Sequence, residues 1–100
     1  MAPSPPFPIS AIPVSSSAIQ LSWQPVFDGH SPITSYKLEM RRESESYVVI
    51  QEVISAMSYT VRNLRPFTLY TFRISARNAA GLGNGANITN KTLQDGKLES

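Results

Sequence analysis

Between Tyr70 and Arg77 the chain alternates without a break, with Tyr70, Phe72, Ile74 and Ala76 set against Thr71, Arg73, Ser75 and Arg77. A period of two is the period of an extended strand, whose successive side chains point to opposite faces. The same pattern sets Ile19, Leu21 and Trp23 against Gln20, Ser22 and Gln24, and Tyr36, Leu38 and Met40 against Lys37, Glu39 and Arg41. A strand with one apolar face must bury it against a second layer. Shorter β signals occur around Ile9–Val14, at Tyr59 and Val61, and from Ile88 to about Thr92. Tyr47 to Val53 is β-prone but irregular, as expected near a sheet edge. Its core, Val48 to Ile54, is suited to adding a strand to a partner's sheet or to aggregation, with ordinary burial the preferred reading. Turn chemistry separates these runs at Pro25–Pro32, Asn63–Pro66 and Ala79–Gly85. About seven short strands and no helical stretch specify an all-β sandwich.

Composition removes most alternatives. One hundred residues, 41% of them hydrophobic, suffice for one domain with its own core. A net charge of +2 does not call for nucleic acid. The absence of cysteine excludes a disulfide scaffold, a thiol nucleophile and thiolate metal sites. His30 is the only histidine, so paired-histidine zinc sites are excluded and a Ser-His-Asp relay is disfavoured. It reads as a solvated loop residue. No nucleophile–base pair, phosphate loop or carboxylate dyad stands out, and neither catalysis nor a cofactor is expected. No apolar run approaches a membrane span, and the first residues lack the features of a signal peptide.

Five of the eight prolines are Pro3, Pro5, Pro6, Pro8 and Pro13. They make an extended, stiff lead-in, since proline fixes φ and lacks a donor. Residues 1–6 are read as a linker in preference to a proline-rich ligand segment, 7–93 as the domain, and 94–100 as a polar tail open to a vector origin. The chain is expected to be a piece of something longer.

Specific residues carry a family resemblance over residues 5–93. Ser4-Pro5-Pro6 precedes the first strand, and Leu21-Ser22-Trp23-Gln24-Pro25 puts tryptophan on the second. Asp28-Gly29-His30-Ser31-Pro32-Ile33-Thr34-Ser35-Tyr36 approaches the third. Ser58-Tyr59-Thr60-Val61, Leu64, Pro66 and Tyr70 follow, and Arg77-Asn78-Ala79-Ala80-Gly81 ends the long strand. Together these resemble the fibronectin type III domain, an immunoglobulin-like sandwich built without a disulfide. Immunoglobulin domains place tryptophan one strand later, against a disulfide; here Phe72 occupies the position of the second cysteine. The resemblance implies a non-catalytic interaction and spacer module, with protein partners and neighbouring domains in the same chain. It implies the extracellular part of a cell-surface receptor or adhesion protein, with an intracellular sarcomeric or cytoskeletal module as the alternative. Any membrane association would come through the parent chain, and the isolated domain is expected to be monomeric. The family's Arg-Gly-Asp integrin motif is missing from Ala79–Gly85.

The expected core comprises Leu21, Trp23, Tyr36, Leu38, Val61, Leu64, Tyr70, Phe72 and Ile74, with the Tyr70 hydroxyl bonded to backbone. The candidate ligand face comprises Lys37 and Arg41 on one strand and Arg73 and Arg77 on its neighbour, four cations suited to an acidic partner or sulfated glycan. Pairing with Glu39 and Glu52 is the competing and preferred reading, and makes the same face a solvated charge mosaic. Phe27 is a candidate loop contact. Asn87-Ile88-Thr89 and Asn90-Lys91-Thr92 fit the N-glycosylation pattern, and with Ile88 facing the core only Asn87 is a comfortable acceptor.

Overall fold

A computed structural model describes residues 2–24 and 31–94. It contains β1 (Ile9–Ser15), β2 (Ala18–Trp23), β3 (Ser35–Arg42), β4 (Val48–Ile54), β5 (Ser58–Val61), β6 (Leu69–Asn78), β7 (Gly81–Leu82) and β8 (Ala86–Lys91). Every strand pairing is antiparallel. One sheet has the order β1-β2-β5; the other runs β4-β3-β6, with β7 and β8 both on the far side of β6. The alternating runs supply the inner faces of both layers.

The last two strands account for the difference from about seven. β7 pairs the end of β6 through Arg77 and Asn78, and β8 pairs Leu69 to Ile74. They are one edge interrupted around Gly83, whose N–H still donates to the Ala76 carbonyl at 2.8 Å. The Asn78 side chain shapes the turn, its Oδ1 accepting from the N–H groups of Ala80 (2.8 Å) and Gly81 (3.2 Å). Gly81 has φ 135°, a conformation that a side chain strongly disfavours. The stretch read as loop therefore carries a short ladder.

Leu21, Leu38, Phe72 and Ile74 are completely buried, and Trp23 is 2% exposed. The Trp23 and Tyr36 rings meet edge to face at 5.6 Å across the two sheets. Each such side chain contributes about 1.5–3 kcal/mol through removal from water. The lead-in packs on the sandwich as well. Pro3 and Pro6 are buried, the Pro3 carbonyl sits against Gly83, and the Phe7 N–H donates to the Gln24 carbonyl at 3.0 Å. Pro13 lies beside a register shift on edge strand β1, where a missing donor costs least.

The two sides of the sandwich differ. Beside β1 it is laced shut, with Asn90 Nδ2 donating to the Ala11 carbonyl at 2.6 Å and the Leu93 N–H to the Ser15 carbonyl at 3.2 Å. Beside β4 it is open, with a groove of about 440 Å³ lined by Met40, Ile50, Tyr59, Val61 and Leu64. Gln51 Nε2 bridges to the Tyr59 hydroxyl at 3.3 Å. Ordinary burial of Val48 to Ile54 is not what the structure shows. Val48, Val49 and Val53 are exposed and only Ile54 is buried. β4 pairs β3 alone, through two register shifts, and lies at the sheet edge.

Candidate functional site

The outward face of β3 and β6 carries the charge. Their register places Lys37 opposite Ser75, Glu39 opposite Arg73, Arg41 opposite Thr71, and Arg77 opposite Ser35. All four predicted cations thus share one surface, each partly exposed.

They do not stand there as four free charges. Arg73 grips Glu39 through two parallel hydrogen bonds, Nε to Oε1 at 2.9 Å and Nη2 to Oε2 at 3.0 Å. Charge-assisted bidentate pairs of this kind are stronger and more geometrically specific than single neutral hydrogen bonds. Arg77 Nη2 reaches Glu52 Oε1 at 3.2 Å from across the sheet. Lys37 makes no ion pair among the described residues. The hydrogen bond from Arg73 holds the Glu39 carboxyl below its usual range, with the Arg73 and Lys37 charges assisting and burial opposing. The same bond holds the Arg73 proton more tightly than usual, against the effect of burial.

Tyr47 is the member of this face that pattern reasoning missed. Its ring lies 4.0 Å from the Arg73 guanidinium carbon and 5.1 Å from that of Arg41. Cations attract to aromatic faces at such distances. Arg41, Tyr47, Arg73 and Glu39 therefore form a continuous ladder across the sheet. Its place comes from the strand register: Met40 pairs Val48, so Tyr47 falls level with Arg41 just before β4.

The surface is a charge mosaic in which carboxylates alternate with cations. Two of its four predicted cations, Arg73 and Arg77, are paired with Glu39 and Glu52, and Lys37 is without an ion pair among the described residues. No cluster of three or more metal-binding side chains occurs among the described residues.

The remaining predicted positions are placed as follows. Leu21, Trp23, Tyr36, Leu38, Val61, Leu64, Tyr70, Phe72 and Ile74 are all buried. The Tyr70 hydroxyl accepts from the Arg65 N–H at 2.9 Å. Asn87 is exposed and opposite Arg73, whereas Asn90 is half-buried and turned to β1. Phe27 and His30 lie outside the described residues.

The sequence profile of the fibronectin type III domain matches residues 4–92. The chain is 33% identical over 105 residues to cell adhesion molecule Dscam1 of Drosophila melanogaster, covering 98% of this chain and 5% of that protein. It is 34% identical over 84 residues to human Roundabout homolog 2, covering 82% of this chain and 6% of that protein. A crystal structure of domains from titin superposes with a TM-score of 0.81 at 31% identity, over 93% of this chain and 33% of that one. The chain thus spans a small fraction of each of these proteins.

Proposed function

The chain belongs to the fibronectin type III family, and on that premise we propose that it is a non-catalytic interaction and spacer module of a multidomain cell-surface receptor or adhesion protein. The observation that carries this reading is where the chain enters and leaves. Ile9 pairs Trp23 at one end of the sandwich, while the Leu93 N–H bonds the Ser15 carbonyl at the other. A domain with its ends at opposite poles is strung in series and contributes its length to an array. The packed prolines stiffen the junction that precedes it. Likeness to Dscam1 and Roundabout homolog 2 supports the adhesion and receptor setting.

Its docking surface is the outward face of β3 and β6, and its partner carries carboxylates or sulfates. Retention on a heparin column that falls when Arg73 and Arg77 become serine is the expected result; no retention near physiological salt removes the anionic partner. The setting is tested with the parent chain in intact cells. Cleavage of this module by external protease is expected, and full protection contradicts the extracellular reading. The likeness to titin favours a second reading, an intracellular array module, and protection would support it.

A further inference from the structure

Two glycosylation patterns lie three residues apart on β8, an odd spacing that turns their asparagines to opposite faces. We propose that Asn87 alone carries an N-linked glycan, and that this glycan stands over Arg73 and shields the cation face. The inference rests on the extracellular reading above.

The contrast between the sites is chemical. In the transfer, the asparagine Nδ2 bonds to the anomeric carbon of a lipid-linked oligosaccharide. The carbon–oxygen bond to the lipid pyrophosphate breaks, the pyrophosphate leaves, and one amide proton is lost. At Asn90 that nitrogen donates to the Ala11 carbonyl at 2.6 Å, and its Oδ1 accepts from the Lys91 N–H at 2.7 Å. A sugar there must emerge where β8 packs against β1, at the bond that laces the two sheets together. The third residue of that pattern, Thr92, is 2% exposed, and its hydroxyl donates to the Arg65 carbonyl at 2.5 Å while accepting from the Thr68 N–H at 2.9 Å. The segment that would bear the glycan is structural on both sides of the strand.

At Asn87 nothing of this kind stands in the way. Asn87 and Thr89 are both exposed on the outward face, and among the described residues the Thr89 hydroxyl bonds only to that of Thr71, at 2.9 Å. Asn87 is opposite Arg73 in the β6–β8 register. Directly opposed residues have Cβ atoms about 4.5–5.5 Å apart. The first sugar is therefore rooted beside the base of the Arg73 side chain, whose guanidinium reaches to the other side of β6, to Glu39 and Tyr47. A glycan grows outward from that point into the volume a macromolecular polyanion needs. Glycan and acidic partner compete for the same face.

The test secretes this chain from eukaryotic cells behind a signal sequence, as wild type and as Asn87→Gln, a change at an exposed position. Enzymatic glycan release converts the modified asparagine to aspartate, and mass spectrometry locates it. Modification at residue 87 alone, with complete loss of the mobility shift in Asn87→Gln, is expected. An unmodified secreted chain, or modification at residue 90, overturns the assignment. For the shielding, the glycosylated chain should leave a heparin column at lower salt than Asn87→Gln; equal elution overturns it. If neither form is retained, the anionic-partner reading fails too, while the glycan assignment is still decided by mass. Because secretion is imposed, these outcomes are independent of the compartment of the parent chain, which the external-protease experiment reads separately.

Discussion

Replacing Tyr70 by phenylalanine removes one oxygen and leaves the ring in place. The ring is 4% exposed and stacks on Phe72 with centroids 6.4 Å apart, so packing changes little. The lost oxygen accepts the Arg65 N–H at 2.9 Å, in the turn between β5 and β6. That N–H then needs water, which the phenyl edge partly blocks. An unsatisfied donor of this kind costs about 1–3 kcal/mol, and partial hydration puts Tyr70→Phe near ~1.5 kcal/mol. For a domain of this size each kcal/mol moves the melting temperature by about 4–8 °C, so a fall of roughly 6–12 °C is expected. Tyr59→Phe is the control. It removes the same atom from a hydroxyl whose bond is to an exposed Gln51 side chain at 3.3 Å. Its cost should lie below ~0.5 kcal/mol. Calorimetric melts of the three proteins decide the matter. Equal melting of wild type and Tyr70→Phe, or an equal loss in both variants, refutes the argument that burial sets the worth of this bond.

Three further outcomes follow from the same structure. Trp23→Ala empties the centre of the core and should cost ~3–5 kcal/mol by denaturant titration, a large part of the ~5–15 kcal/mol that a domain possesses. Glu39→Gln should cost less than ~1 kcal/mol at neutral pH, because the Arg73 partner is partly solvated. The folded-state pKa of Glu39 lies below its unfolded value, so its contribution is complete above about 4.3, the ordinary glutamate value, and is lost as pH falls through the folded one; the stability difference between wild type and variant, followed by urea titration, should shrink on acidification through that window. In Gly85→Ala the new methyl would lie 2.7 Å from Arg73 Cδ and 2.8 Å from Ser75 Oγ, displacing Arg73 from Glu39; the ordinary carboxyl titration of Glu39 should return, as read by NMR, and an unchanged titration would show that the guanidinium moves without releasing its partner.

What the residues alone determined is whatever a period of two can encode. The two faces of β2, β3 and β6 follow from side-chain alternation, and the burial of Trp23, Tyr36, Leu38, Phe72 and Ile74 follows from those faces. The loose end of the pattern was Val48 to Ile54, where apolar content suggested burial. The irregular pattern already pointed to a sheet edge, but hydrophobicity states only a preference for a partner, and the sheet order shows β4 beside an open groove with most of its apolar side chains uncovered. Pairing of the cations with Glu39 and Glu52 is the preferred reading of the strand pattern, and the tertiary structure decided which cation meets which carboxylate. Glu39 lies 34 positions from Arg73 and Glu52 lies 25 from Arg77, and such pairs come together only through the registers of β3, β4 and β6. The same holds for Tyr47 beneath two guanidinium groups and for Asn90 reaching Ala11, 79 positions away. Local chemistry assigns each residue a face, but the neighbour it meets there is fixed by how distant strands align.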